Sequence, residues 1–217
     1  MKKLLVALLL AVPLMANAGS WFQFEAGIGA QKSSDMGDGI WVQYGMPHKE
    51  ALYGPAFMAG VTGQVYSRGA VDVRYHADYV YFGGMQAGCL CTEPDSTYST
   101  ATHRNLGGGT VSEFYGQGHV QGIALTLQPG YTWRGIRLAV EGGPWVNWST
   151  WHETAYLPGD TVNGSHKTVV QLAWVAGASV EYNGWALSYR HYWERQSWNP
   201  FPGIVTGTDM LMVTKRF

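Results

Sequence analysis

The chain has little charge, little cysteine and almost no long apolar run. Lys, Arg, Asp and Glu make up 13% of its 217 residues, and the formal net charge is −1. That balance leaves no basic footprint for nucleic acid. It suits alternating strands better than solvated helices. Only two cysteines are present, Cys89 and Cys91. The apolar run from Leu4 to Leu14 is too short for a membrane-spanning helix, which needs about 20 apolar residues, and no later stretch qualifies.

Lys2 and Lys3 precede that run, and Ala16-Asn17-Ala18 follows it with the small-x-small pattern read by signal peptidase. Residues 1–18 are expected to be a secretory leader, cut between Ala18 and Gly19. No cysteine follows the cut, which argues against a lipoprotein anchor. Loss of Lys2 and Lys3 takes the formal charge from −1 to −3. Residues 19–217 suffice for one domain.

What the chain does have is 29 glycines, 14% aromatics and a period of two. Phe22, Phe24, Ala26, Ile28 and Ala30 alternate with Gln23, Glu25, Gly27 and Gly29. Val71, Val73, Tyr75, Ala77, Tyr79 and Tyr81 alternate with Asp72, Arg74, His76 and Asp78. The stretch from Thr168 to Tyr182 alternates again, with Gln171, Ser179 and Glu181 on its polar side. A soluble sandwich would bury the apolar face. Here that face is too aromatic, and the opposite face carries too many paired charges. An inside-out barrel explains both, apolar toward lipid and polar toward the lumen.

Three tight turns set the register. Asn183-Gly184 is a strong two-residue hairpin signal, because both positions accept positive φ. It sets Tyr182 against Trp185, Val180 against Leu187 and Gly177 against Arg190. Arg134-Gly135 would set Trp133 against Ile136, Tyr131 against Leu138 and Gln128 against Glu141. Ser67-Arg68-Gly69 reads as a three-residue turn that sets Val65 against Val71, Gln64 against Asp72 and Thr62 against Arg74. Each hairpin keeps like with like, which a one-residue slip would destroy.

Strands are predicted near 21–31, 53–66, 70–83, 113–133, 136–149, 167–182, 185–196 and 205–217. Eight is an even number, as in bacterial single-chain barrels. The expected fold is all-β: an eight-stranded antiparallel up-and-down transmembrane barrel with both termini at the periplasmic end. Longer connections near 32–52, 84–112, 150–166 and 197–204 would face outward. Trp21, Tyr66, Trp133, Tyr182, Trp185 and Phe217 would mark the periplasmic boundary, and Tyr79, Tyr81, Trp148, Trp151 and Trp193 the outer one. Gln117, His119 and Gln121 share the lipid-facing phase and would project above the bilayer. Pro129 and Pro144 lack a ladder donor inside predicted strands and are expected at bulges.

The chain ends in Phe217, with Val213 and Leu211 in the same phase, and this resembles the C-terminal signature of outer-membrane barrels. Ala176 to Tyr182, followed by Leu187-Ser188-Tyr189-Arg190, looks like the penultimate hairpin of the OmpA, OmpX and opacity-type barrels. The resemblance implies an outer-membrane barrel of that superfamily, inserted by the barrel-assembly machinery with periplasmic chaperones. Tyr189-Arg190-His191, then Asn199-Pro200 and Gly203, loosely resemble the PagL-type lipid A deacylase barrels. That family carries a membrane-facing Ser-His-Glu site. Here Trp193 stands at the serine position, and Asp209 is the carboxylate in a suitable phase to orient His191.

The lumen-facing phase holds Glu25, Asp72, Arg74, His76, Asp78, Arg137, Glu141, Glu181, Arg190, Glu194 and Arg216. Buried charges must pair or cost several kcal/mol. Two readings are open: a salt-bridged plug, or a narrow pore or proton path through His76. His191 is either an interfacial histidine beside a tryptophan belt or the base of a hydrolase. His48, His103, His152 and His166 are expected in solvated loops, with Glu153 nearby. Cys89 and Cys91 could close a very tight disulfide ring or remain free thiols, and further metal ligands at a recognisable spacing are missing.

The leading expectation is a non-enzymatic surface barrel whose outer loops, chiefly 84–112, serve adhesion, host-factor or phage binding, or envelope integrity. A lipid A acyl hydrolase using His191 and a narrow solute channel are the other two classes. The expected partners are outer-membrane lipid and lipopolysaccharide, with an extracellular ligand on the loops. Neither a cofactor nor nucleic acid is expected.

Overall fold

A computed structural model describes residues 22–35, 48–92, 98–99, 104–105, 111–157, 160–167, 170–193 and 205–217. The alternating stretches form eight long strands: β1 Gln23–Asp35, β2 Tyr53–Arg68, β3 Val71–Thr92, β4 Val111–Trp133, β5 Ile136–Leu157, β6 Gln171–Tyr182, β7 Trp185–Trp193 and β8 Val205–Arg216. Every strand pairs antiparallel with its neighbours in sequence, and β8 returns to β1. The sheet therefore closes on itself and leaves these eight strands without a free edge. At the seam Glu25 lies opposite Arg216 and Ile28 opposite Val213. The Phe217 amide donates to the Phe24 carbonyl at 2.9 Å, so the last residue is tied to the first strand.

Three short turns share one end of the barrel. Asn183 and Gly184 have φ of 50° and 74°, and Arg134 and Gly135 have 50° and 82°. Both pairs are left-handed at two consecutive positions, the geometry that matches strand twist across a two-residue hairpin. Tyr182 opposes Trp185 and Gly177 opposes Arg190. Trp133 opposes Ile136 and Tyr131 opposes Leu138.

The third turn corrects the sequence reading. It is Gly69-Ala70, with Arg68 opposite Val71, Gln64 opposite Arg74 and Thr62 opposite His76. The register differs by two residues from the one expected, and a bulge between Gln64 and Tyr66 absorbs the odd residue. Because the shift is even, every side chain still keeps its expected face above the bulge.

The prolines are a second correction. Pro129 lies opposite Val73 and Pro144 opposite Trp174. The β4–β5 register is the same at Trp133–Ile136, Leu127–Gly142 and Ala124–Trp145, so neither proline makes a bulge. They interrupt ladder bonds only. A bulge falls instead at Gly83-Gly84, where Gly84 has a φ of 81° and a side chain would be strained.

A third correction concerns length. The segments near 84–112 and 150–166 are not simply loops. β3 and β4 stay paired as far as Thr92 and Val111, and β5 runs to Leu157 before pairing with a strand at Asp160–Lys167. Another short strand, His48–Ala51, pairs with β3. His48, His152 and His166 therefore sit on strands and not in loops, and His152 is exposed. Among the described residues, the wall of β3, β4 and β5 rises beyond that of β7 and β8.

The outer face of the wall is mostly apolar. Ile28, Phe57, Ile123, Leu125, Leu127, Leu138, Val140, Leu172, Leu187, Leu211 and Val213 are all exposed on the outside. Tyr66, Trp133, Tyr182, Trp185 and Phe217 are exposed at the short-turn end, and Tyr79 and Trp193 are exposed further up. Trp151 departs from the expected outer girdle. It is 1% exposed and packs inward over Gly116 and Gly118, because it shares the inward phase of Trp145, Asn147 and Ser149.

Candidate functional site

Titratable side chains gather in the lumen near the short turns and at one point on the outer wall. In the lumen, Arg137 of β5 is the first hub. Its Nε and Nη2 donate to Asp72 Oδ1 at 2.8 and 2.5 Å. Its Nη1 donates to Glu181 Oε1 at 2.7 Å and Gln128 Oε1 at 2.6 Å. This planar guanidinium stacks over Gly130, where a Cβ would come within 2.5 Å of it. Glu181 is held from the other side by Arg74 at 2.8 Å and by Arg216 at 2.5 and 2.6 Å. Arg216 Nε also reaches Glu25 Oε2 at 3.4 Å.

Arg190 of β7 is the second hub, deeper in the barrel. Its Nε and Nη2 fork onto Glu141 at 2.7 and 3.0 Å, and its Nη1 donates to Asp78 Oδ2 at 2.8 Å. Thr126 adds a hydroxyl to Glu141 at 3.1 Å. Between the hubs, His76 Nδ1 is 2.5 Å from Glu25 Oε1. Bidentate, charge-assisted contacts of this kind are the strong class of hydrogen bond. The structure thus gathers Glu25, Asp72, Arg74, His76, Asp78, Arg137, Glu141, Glu181, Arg190 and Arg216 in one interior. Glu194 lies outside the described residues, as do Trp21 and His103.

Above the charges the lumen turns apolar, and the sequence reading missed this half. Phe82, Trp145 and Tyr192 are each 0% exposed and pack ring against ring at 4.8–5.9 Å between centroids. Met58, Val80, Met210 and Met212 belong to the same buried apolar cluster. A parity count would have found these residues. Tyr192 stands two places from Arg190, Trp145 four from Glu141 and Phe82 four from Asp78.

On the outer wall His191 Nδ1 lies 2.7 Å from Asp209 Oδ1, and the Tyr189 hydroxyl donates to the same oxygen at 2.5 Å. The imidazole packs edge-on against Trp193, 4.6 Å between centroids, and its Nε2 side lies over Gly207. Lys32 of β1 is the cross-strand neighbour of Asp209, and Ser34 that of Gly207. Asn199, Pro200 and Gly203 lie outside the described residues. The backbone pairs Cys89 with Phe114 and Cys91 with Ser112, and both cysteine side chains are outside the described residues.

A closed barrel with a hydrocarbon-like exterior and ion pairs inside is the reverse of a water-soluble protein, and it suits a hydrocarbon surround. The fold is that of a small outer-membrane barrel. No protein-family model matches the chain, and no curated protein matches it. Among solved structures it is similar to Ail, the attachment invasion locus protein of Yersinia pestis, at 12% identity over 91% of this chain and 99% of that one, with a TM-score of 0.39. The TM-score is 0.44 for Ail in complex with the heparin analogue sucrose octasulfate. It is likewise similar to Neisserial surface protein A, at 12% identity over 90% and 95% of the two chains, with a TM-score of 0.40. These are likenesses of fold.

Proposed function

We propose that this barrel is a surface anchor of the bacterial outer membrane, with a solid interior and a recognition surface on its tall wall. The leader at 1–18, export and assembly into the membrane belong to the same reading. The observation that carries it is the filled lumen: two arginine hubs below and an aromatic cluster above occupy the interior of an eight-stranded barrel, which has little more room than side chains need. A path for solute would have to break fully buried ion pairs. Recognition then falls to β3, β4 and β5, which rise beyond the apolar belt. There Tyr79 donates to Gln121, Gln121 reaches His119 at 3.4 Å, and Tyr81 packs on His119 with centroids 5.1 Å apart. Such a polar and aromatic face above the bilayer offers contacts to lipopolysaccharide or to an extracellular partner. Purified barrel in planar lipid bilayers is expected to give no sustained single-channel steps. Reproducible stepwise conductance would end the anchor reading in favour of a channel.

A second reading rests on His191. Its bond to Asp209 leaves Nε2 facing Gly207, and the strand register sets Ser34 on the far side of that glycine. A lipid acyl hydrolase would need that hydroxyl as its nucleophile. Lipid A mass spectrometry on cells with and without the protein distinguishes the two readings. The anchor reading expects identical acylation. A lost acyl chain that His191→Ala and Ser34→Ala both restore would establish the hydrolase.

A further inference from the structure

We infer that the lumen carries a metal site built from Glu25, His76 and Asp78, with the Thr62 hydroxyl beside it, and that its ion is zinc. The ligand atoms of these three residues lie within 4.8 Å of one another. All three side chains are buried, at 3%, 3% and 0% exposure. They come from β1 and β3, with β2 between. On β2 the residue paired with both Glu25 and Asp78 is Gly60, and a Cβ there would come 2.2 Å from Asp78 Oδ1. The missing side chain is what lets the two carboxylates meet.

Three polar atoms of this corner have no hydrogen-bond partner among the described residues: His76 Nε2, Asp78 Oδ1 and Thr62 Oγ1. Thr62 and His76 are direct cross-strand neighbours on the inward face. Leaving three such groups buried and unpaired is costly, because each loses its water without gaining a partner. They belong to the same few residues that supply the ligand set. The rest of the described lumen satisfies its charges through Arg74, Arg137, Arg190 and Arg216.

The charge count points the same way. Among the described residues, five lumen carboxylates (Glu25, Asp72, Asp78, Glu141 and Glu181) face four guanidiniums and the His76 imidazole. His76 must be neutral to ligate a metal, and one negative charge is then left over in the corner that holds Glu25 and Asp78. A cation there replaces the missing positive group. One imidazole with two carboxylates suits zinc, at about 2.0–2.2 Å per ligand, and leaves a fourth position for the Thr62 hydroxyl or a water. Magnesium and calcium prefer all-oxygen shells. The ion would tie β1 to β3 across β2 and act as a pin.

The test uses the folded protein in detergent micelles. It is refolded with zinc chloride, passed through a mild chelator, and its metal is counted. One retained zinc per chain is expected, lost in His76→Gln and in Asp78→Asn, with both variants keeping the heat-modifiable gel mobility of a folded barrel. No retained zinc, or equal zinc in the wild type and His76→Gln, overturns the site. Should both variants fail to fold, zinc-edge X-ray absorption on the wild type decides. One imidazole with oxygen neighbours supports the lumen site, and two or more imidazoles place the ion on other histidines and overturn it.

Discussion

Arg190→Ala is expected to remove about 3–5 kcal/mol of stability, the usual consequence of deleting one partner of a buried ion pair. Arg190 is the only guanidinium bonded to Glu141 and to Asp78 among the described residues. Its loss leaves two buried carboxylates, Glu141 and Asp78, without their guanidinium. Neither can reorient toward Arg137 or Arg216, which are engaged by Asp72 and Glu181. Removing Glu141 as well takes away one of the stranded charges, so Arg190→Ala with Glu141→Ala should be more stable than Arg190→Ala alone. Arg74→Ala should cost much less. Arg74 is 22% exposed in its side chain, and Glu181 keeps Arg137 and Arg216 without it. Urea unfolding in detergent or lipid vesicles, followed by tryptophan fluorescence, gives the comparison. An Arg190→Ala barrel within 1 kcal/mol of the wild type would mean that the network is not what holds the interior.

These residues could be named before any coordinates because a strand's period is two. Once Asn183-Gly184 and Arg134-Gly135 fix two hairpins, every polar residue in the inward phase must share the lumen. Glu141, Glu181 and Arg190 follow directly. Partner choice does not follow. Glu25 and Asp78 sit two strands apart, and only the absent side chain of Gly60 brings them together. A period carries no information about distances across strands. The apolar half of the lumen was obscured for a related reason. Residue type alone points apolar side chains to lipid, yet Phe82, Trp145 and Tyr192 stand in the inward phase. The upper lumen of a narrow barrel is a packed core and follows the rule for cores.

The tall wall was less legible because its glycines look like loop residues. Gly83, Gly84 and Gly88 suggest that β3 ends near residue 83. Gly83-Gly84 is instead a bulge after which pairing resumes at Met85 opposite Gly118. Gly116 and Gly118 are there because the indole of Trp151 lies over both, within 2.5 Å of where either Cβ would be. Composition alone does not separate a glycine that ends a strand from one that accommodates a neighbour. The wall above the belt matters for function, since side chains on paired strands are held more firmly than those on a free loop.

The membrane reading itself has a test in which the sign of the effect decides. Leu127 lies on β4, opposite Gly142 and six residues from the Trp133 turn, and is 56% exposed. That places it at mid-height of the apolar belt, between the Trp133 level and the polar level of Gln121. In water an exposed leucine is neutral or unfavourable, so Leu127→Arg would leave a soluble barrel unchanged or slightly more stable. In a bilayer the same change puts a guanidinium against hydrocarbon and should cost about 2–4 kcal/mol. Gln117→Arg, on the same strand and the same face but above the belt, should cost nearly nothing. Both variants are compared with the wild type by urea titration in phospholipid vesicles. A large loss at 127 with none at 117 locates the upper edge of the hydrocarbon between them. Equal effects at the two positions would remove the bilayer from the account of this fold, because no difference in packing separates two exposed side chains on one face.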